Sequence, residues 1–283
     1  MRRIIPMPNI RTVLVAACLA ACASGTDAPT NSAPQVIRVI STDYAFEAPD
    51  TVAAGQVTWQ LENNGEEGHH LIVYRIDGGH TVDDALAQVA IDQAWPHWLV
   101  SMGGPEGTED SNLGGSFTMR LEPGQYLLVC AIGHPEGNTH AAHGMVHPFV
   151  VTGQPGDSAD PVATDTIRMI DFAFAIPDTI SAGDVRFLVL NEGRQRHHMV
   201  MEQVPDTAGM AQVLEDLTSE EIPPGYRSVG GFTSMAPGGR GWYEVNLVPG
   251  RYLIGCLITD PATGRPHFEL GMVRLIEVVS RTG

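Results

Sequence analysis

The sequence predicts an all-β protein: two β-sandwiches in tandem, each with a short helical insertion. Three observations carry this. The 283 residues include 31 Gly and 20 Pro, turns at the density that many short strands require. Between those turns lie short runs rich in branched and aromatic residues, several alternating apolar with polar positions as half-buried strands do. The third observation is an internal repeat. Asp43–Gly55 (DYAFEAPDTVAAG) matches Asp171–Gly183 (DFAFAIPDTISAG) at an offset of 128 residues. The same offset pairs Asn63, Gly65, His69 and His70 with Asn191, Gly193, His197 and His198. Leu121–Cys130 matches Leu247–Cys256 at 126, and His140, Gly144 and Met145 match His267, Gly271 and Met272 at 127. So long a period means two copies of one domain, because solenoid repeats are only about 20–50 residues long.

Taken in order, the chain opens with an address. Arg2, Arg3 and Arg11 are a positive start, and Thr12–Ala21 is a short apolar run followed by small residues. That is a secretory signal, too short for a transmembrane helix. It ends Leu19-Ala20-Ala21-Cys22, which resembles the bacterial lipobox, whose Cys is lipidated. Residues 1–22 are therefore assigned to signal peptide and lipobox, with Cys22 as the lipidation site. Ala23 after the Cys implies a lipid anchor in the outer membrane, facing the periplasm. Residues 23–35 are small, polar and Pro-containing, a flexible tether.

The first copy spans 36–152. Its expected strands are Val36–Ile40, Gln56–Leu61, Leu71–Ile76, Ser116–Leu121, Tyr126–Cys130 and Val146–Val151. Thr81–Asp84 reads as a helix start leading into Ala85–Ala90. Residues 153–164 are a polar Gly/Pro linker. The second copy spans 165–280, with strands Thr166–Ile170 and Val185–Leu190, counterparts of the others, and a helix over Thr207–Leu217. Each copy is expected to close its own core and to fold alone.

Composition removes some functions. There are 33 acidic residues against 16 basic ones, all Arg, for a net charge of −17. A nucleic-acid binder needs a basic face, so that class is excluded. An acidic surface instead suits partners with a basic docking surface. Four Cys are too few for a disulfide scaffold of this size. No Ser elbow, paired zinc motif or phosphate loop is present, and Gly103-Gly104 and Gly230-Gly231, which match between copies, read as structural turns.

The residues that can do chemistry recur in both copies in the order His, Cys, His, Met. Two imidazoles and a thiolate form a trigonal site, a weak axial thioether completes it, and that set selects copper. A disulfide between Cys130 and Cys256 is the competing use of the cysteines in an oxidising compartment. In the second copy His197, Met199 and Met201 share one strand face, opposite His198, Val200 and Glu202. Glu202 would sit badly in a core, so the first His of each pair is expected to point inward. The first copy also carries His134, His143 and His147, which have no counterparts and read as loop residues, or as a loose secondary site; His134 also competes with His140, which ranks above it because only His140 has a counterpart, His267.

On these residues the chain resembles the cupredoxins, the blue copper proteins. The marks are Asn63-Asn-Gly65…His69 with Cys130…His140…Met145, and Asn191-Glu-Gly193…His197 with Cys256…His267…Met272. The resemblance implies two Greek-key sandwiches. It also implies the metal ligands His69, Cys130, His140 and Met145 in one domain and His197, Cys256, His267 and Met272 in the other, with type 1 copper as cofactor. One departure stands out: nine residues separate Cys from His in the first copy and ten in the second, where small cupredoxins have only a few. The second copy, with no competing histidine in its loop and with Pro261 and Pro266 limiting that loop, is expected to hold the metal more reliably. The implied function is single-electron transfer with an unidentified redox partner, and not catalysis, since multicopper oxidases need His-x-His pairs and none occurs. A second copper shared between subunits, as in nitrite reductases, stays open, as do copper binding or delivery and a metal-free interaction role.

Overall fold

The computed structural model describes residues 33–89, 95–107, 115–134, 137–156, 158–217 and 223–281. The signal, Cys22 and most of the tether lie outside them. The first copy contributes β1 (Gln35–Thr42), β2 (Ala45–Glu47), β3 (Thr51–Ala53), β4 (Gly55–Asn63), β5 (Ile72–Ile76), α1 (Val82–Val89), β6 (Leu99–Ser101), β7 (Ser116–Leu121), β8 (Gly124–Val129) and β9 (Val146–Thr152). The second contributes β10 (Asp165–Ile170), β11 (Ala173–Ala175), β12 (Thr179–Ser181), β13 (Gly183–Asn191), β14 (His197–Val204), α2 (Met210–Asp216), β15 (Arg227–Met235), β16 (Arg240–Leu247), β17 (Gly250–Gly255) and β18 (Val273–Val279).

Each copy is an all-β, cupredoxin-like sandwich. In the first, the face β7-β4-β1-β2 packs on a five-stranded sheet β3-β9-β8-β5-β6. In the second, β11-β10-β13-β16 packs on β12-β18-β17-β14-β15. Alternation builds the layers: in β1, Ile37, Val39 and Ser41 are buried while Val36, Arg38 and Thr42 face out. The repeated Leu-x-Pro-Gly-x-Tyr block has a packing reason. The Tyr126 hydroxyl donates to the Glu122 carbonyl at 2.8 Å, and Tyr252 to Val248 at 2.9 Å, pinning each tight turn. Helix α1 starts with a reciprocal cap: the Asp84 N–H donates to Thr81 Oγ1, and the Thr81 N–H to Asp84 Oδ2. Helix α2 is shorter than the sequence suggests, because Gly209 is its cap and Thr207 belongs to the turn before it.

The two sandwiches do not stand apart. β16 pairs antiparallel with β7 (Trp242 with Thr118, Tyr243 with Phe117), which fuses two faces into one eight-stranded sheet. A strap from Ser101 to Gly107 crosses onto β15: the Thr233 N–H donates to the Gly104 carbonyl at 2.9 Å, the Ala236 N–H to Ser101 at 2.8 Å, and the Glu106 N–H to Gly231 at 3.2 Å. Phe117, Phe232 and Tyr243 pack through the junction, tilted and edge-on, with ring centroids 5.9 Å apart in each contact, so one apolar core runs through both copies. The matched glycines are where backbones meet. A Cβ on Gly104 would lie 2.0 Å from the Leu71 carbonyl oxygen, and one on Gly231 1.9 Å from that of Met199. This corrects the expectation that each half closes a separate core.

Candidate metal centres

Each centre grows from a turn that repeats in sequence. Asn63 Oδ1 accepts the Gly65 N–H at 3.0 Å, and its Nδ2 donates to the Glu67 carbonyl at 2.7 Å. Asn191 does the same for Gly193 at 3.0 Å and Gln195 at 2.9 Å. The turn delivers His69 just before β5 and His197 at the head of β14. Both are buried. The Cys follows β8 or β17 directly.

The long Cys–His loops return because each folds back on itself. In the first copy Gly133 bridges to Thr139, and the His140 N–H donates to the Ile132 carbonyl at 2.9 Å. In the second Thr259 bridges to Pro266, and the His267 N–H donates to Ile258 at 2.8 Å. Each loop is closed at its base, so the second His re-enters beside the Cys. The chain then turns once more. The Cys130 N–H donates to the Met145 carbonyl at 3.2 Å and the Cys256 N–H to Met272 at 3.1 Å, which sets each buried Met next to its Cys.

The side chains converge. His69 Nδ1 lies 3.2 Å from His140 Nδ1, and Cys130 Sγ lies 3.6 Å from the latter. His197 Nδ1 lies 3.1 Å from His267 Nδ1, and Cys256 Sγ 3.4 Å from it. Within each triad the three donor atoms lie inside 4.8 Å of one another. The outer ring nitrogens face acceptors. His69 Nε2 meets Asp43 Oδ1 at 3.2 Å, and His140 Nε2 meets Glu67 Oε2 at 3.1 Å. His197 Nε2 meets Asp171 Oδ1 at 2.8 Å, and His267 Nε2 meets Gln195 Oε1 at 3.3 Å. At His69, His197 and His267 a hydrogen-bonded acceptor outside the ring fixes the tautomer and turns a bare Nδ1 inward, while His140 meets the Glu67 carboxylate as a charge contact without hydrogen-bond geometry. Two such lone pairs facing each other at close range repel, and a cation between them converts that repulsion into bonding.

Protonation agrees. Burial lowers His140, helped by neighbouring His69, and burial lowers His197. Burial and then His197 bring His267 down to about 4. These three are neutral near pH 7, the form that binds metal. Burial pushes the Cys130 thiol up to about 11 and the Cys256 thiol to about 12, against backbone N–H groups of His70 and Ile132, and of His198 and Ile258. Each thiol therefore keeps its proton until a cation displaces it. Both Cys are free thiols, which removes the disulfide alternative.

The second His of each pair turns away from the triad. His70 Nε2 accepts the Ala131 N–H at 2.8 Å, and His198 Nε2 the Leu257 N–H at 2.7 Å, in each case from the residue after the Cys. Between them stands Glu106, its Oε1 3.3 Å from His70 Nδ1 and its charge acting on His198. The extra histidines lie off the first triad. His134 Nε2 meets the Tyr44 hydroxyl at 2.9 Å, His143 Nε2 lies 3.5 Å from the Gly137 carbonyl, and His147 Nε2 lies 3.4 Å from Asp50. The two triads match to within 0.2 Å in these contacts.

Sequence reasoning passed over Asp43 and Asp171. Each accepts two backbone N–H groups of the turn as well as the ligand imidazole. The signal was there, since both head the longest matching block. Gly65 and Gly193 let them in: a Cβ would lie 2.3 Å from Asp43 Oδ1 and 2.4 Å from Asp171 Oδ1.

No family model and no curated protein matches the chain. Among solved structures it is similar to auracyanin from Roseiflexus castenholzii at 21% identity, covering 40% of this chain and 94% of that one, with a TM-score of 0.28. It is similar to auracyanin A, a blue copper protein from Chloroflexus aurantiacus, at 18% identity, covering 42% and 100%, with a TM-score of 0.28. A blue copper oxidase from Nitrosomonas europaea matches at 15% identity across 88% of this chain and 86% of that one, with a TM-score of 0.23. These likenesses are distant, and the fold assignment rests on the sheets and the ligand geometry. The chain is a tandem of two cupredoxin-like domains, each enclosing a buried His-Cys-His group that fits copper.

Proposed function

We propose that the protein binds one copper ion in each domain and passes single electrons at the outer membrane, facing the periplasm, held there by a lipid on Cys22. One observation carries this: both triads are buried and assembled, with two imidazole nitrogens and a thiol converging within 4.8 Å and with acceptors facing the outer ring nitrogens. Bound copper supplies a one-electron Cu(I)/Cu(II) couple. The residues supply rigidity. His69 and His197 are fixed by their turns, Cys130 and Cys256 by the ends of strands, and His140 and His267 by closed loops. Ligands held this way move little between the two oxidation states, which keeps reorganisation small. Burial excludes water and exchangeable ligands. The protein then acts as a carrier and not as an enzyme, docking on a redox partner with a basic surface.

Copper delivery is the second reading. The rings of His134 and His143, 4.2 Å apart beside Tyr44 at the edge of the first centre, favour it, because such a pair offers a stopping point outside the triad. Reconstitution with Cu(II) separates the two. Two coppers per chain with an intense visible thiolate band support electron transfer. Colourless Cu(I) binding alone supports delivery. No copper uptake overturns both.

A further inference from the structure

The two triads are alike, but what surrounds them is not. In the first domain both ligand imidazoles rest on carboxylates, His69 on Asp43 and His140 on Glu67. In the second only His197 does, on Asp171, while His267 rests on the neutral amide of Gln195. The amide is aimed there: Gln195 Nε2 donates to Asp260 Oδ1 at 2.9 Å, which leaves Oε1 for His267. Asp260 therefore stands one group further from the ring than Glu67 does from His140. The turn above each centre differs in the same sense. It reads Asn-Asn-Gly-Glu66-Glu67-Gly before His69 and Asn-Glu192-Gly-Arg194-Gln195-Arg196 before His197. Arg194 Nε lies 3.4 Å from Asp171 Oδ2 and offsets that carboxylate, and Glu192 is paired with Arg168.

We propose that the two centres work in series, the amino-terminal one at the lower potential, so that an electron passes from the first domain to the second, with Glu67 and Gln195 setting the direction. This rests on the copper reading above. Negative charge at the outer nitrogen of a ligand imidazole makes that ring a stronger donor and favours the more highly charged Cu(II) state. A neutral amide under an arginine-bearing turn favours Cu(I). The step balances without a proton or a bond change: one electron leaves Cu(I) in the first domain and reduces Cu(II) in the second. The junction offers the route. Cys130 connects through the Ala131 N–H to His70, His70 meets Glu106, and beyond Glu106 lies His198, which accepts the Leu257 N–H next to Cys256. His198 also donates its own N–H to Cys256 Sγ at 3.5 Å.

Cys256→Ser leaves the first centre alone and Cys130→Ser the second, so each potential can be read by spectroelectrochemistry on the thiolate band. The first centre should be harder to reduce by about tenfold or more in its one-electron equilibrium, about 59 mV. Glu67→Gln in the Cys256→Ser background should remove most of that difference, by removing the charge while keeping the shape. The wild type, which needs no variant to fold, should titrate in two steps, the second centre taking the first electron. Equal or reversed potentials in a protein with two thiolate bands, or no response to Glu67→Gln, would overturn the ordering alone. Absence of any thiolate band would overturn the copper reading beneath it.

Discussion

Gly193→Ala probes how the second centre is held together. Gly193 lies in the turn that lets Asp171 reach His197, and its backbone is outside the left-handed region, so an added methyl acts by its bulk only. Its Cβ would lie 2.4 Å from Asp171 Oδ1 and 2.6 Å from His197 Nε2, where ordinary contact starts at 3.4 Å. One group or both must retreat by close to 1 Å, and a 2.8 Å contact does not survive that as a hydrogen bond. His197 then loses the acceptor that fixes its tautomer. Losing such an outer partner weakens metal binding by about 10–100-fold, or about 1.4–2.8 kcal/mol. The assay is competition against a Cu(I) chelator in the Cys130→Ser background, so that only this centre reports. Gly209→Ala is the control, because its Cβ would meet nothing. A dissociation constant for Gly193→Ala within about twofold of the control's would refute the role given to the Asp171–His197 contact.

Three further outcomes follow from the same contacts. Because Cys130 and Cys256 hold their protons up to about 11 and about 12, each copper bound should release about one proton, and affinity should rise about tenfold per pH unit between pH 6 and 8; calorimetry in buffers of different ionisation heat reads the proton count. Because β16 pairs with β7 and Phe117, Phe232 and Tyr243 pack through the junction, the intact chain should melt in one transition, and residues 36–152 or 165–280 expressed alone should melt lower and aggregate; two independent transitions would contradict the shared core. Mass spectrometry of the protein isolated from membranes should find an acylated Cys22 at its amino terminus, and Cys22→Ala should release it; a soluble wild type starting at another residue would contradict the anchor.

The ligands were legible because the repeat presents them twice. A single His, Cys or Met is ambiguous, but four types recurring in order, beside the same Asn-x-Gly turn, restrict the reading to a site. Strand alternation likewise gave the position of β1, and runs of branched and aromatic residues gave those of β4 and β7. Asp43 and Asp171 were not read as part of the centres, because each sits in a hairpin turn 26 residues before the imidazole it holds, with no ligand spacing to mark it. The domain junction was illegible for another reason. Its strap joins residues 101–107 to 231–236, more than 120 positions apart, through backbone groups that any side chain could accompany. Only the paired glycines marked it, and they read equally well as turns. Glu106 is visible as an acid in the sequence, but its place between His70 and His198 exists only once the two sandwiches are joined.

Copper K-edge X-ray absorption on the reconstituted full-length protein measures the central claim most directly, because it counts the neighbours of the metal itself. Two coppers per chain, each with one short sulfur and two imidazole nitrogens, are expected, and Cys130→Ser and Cys256→Ser should each remove half of the short sulfur signal. Copper surrounded by nitrogen and oxygen alone, or a sulfur signal untouched by either substitution, would contradict the assignment of His69, Cys130 and His140, and of His197, Cys256 and His267, as its ligands.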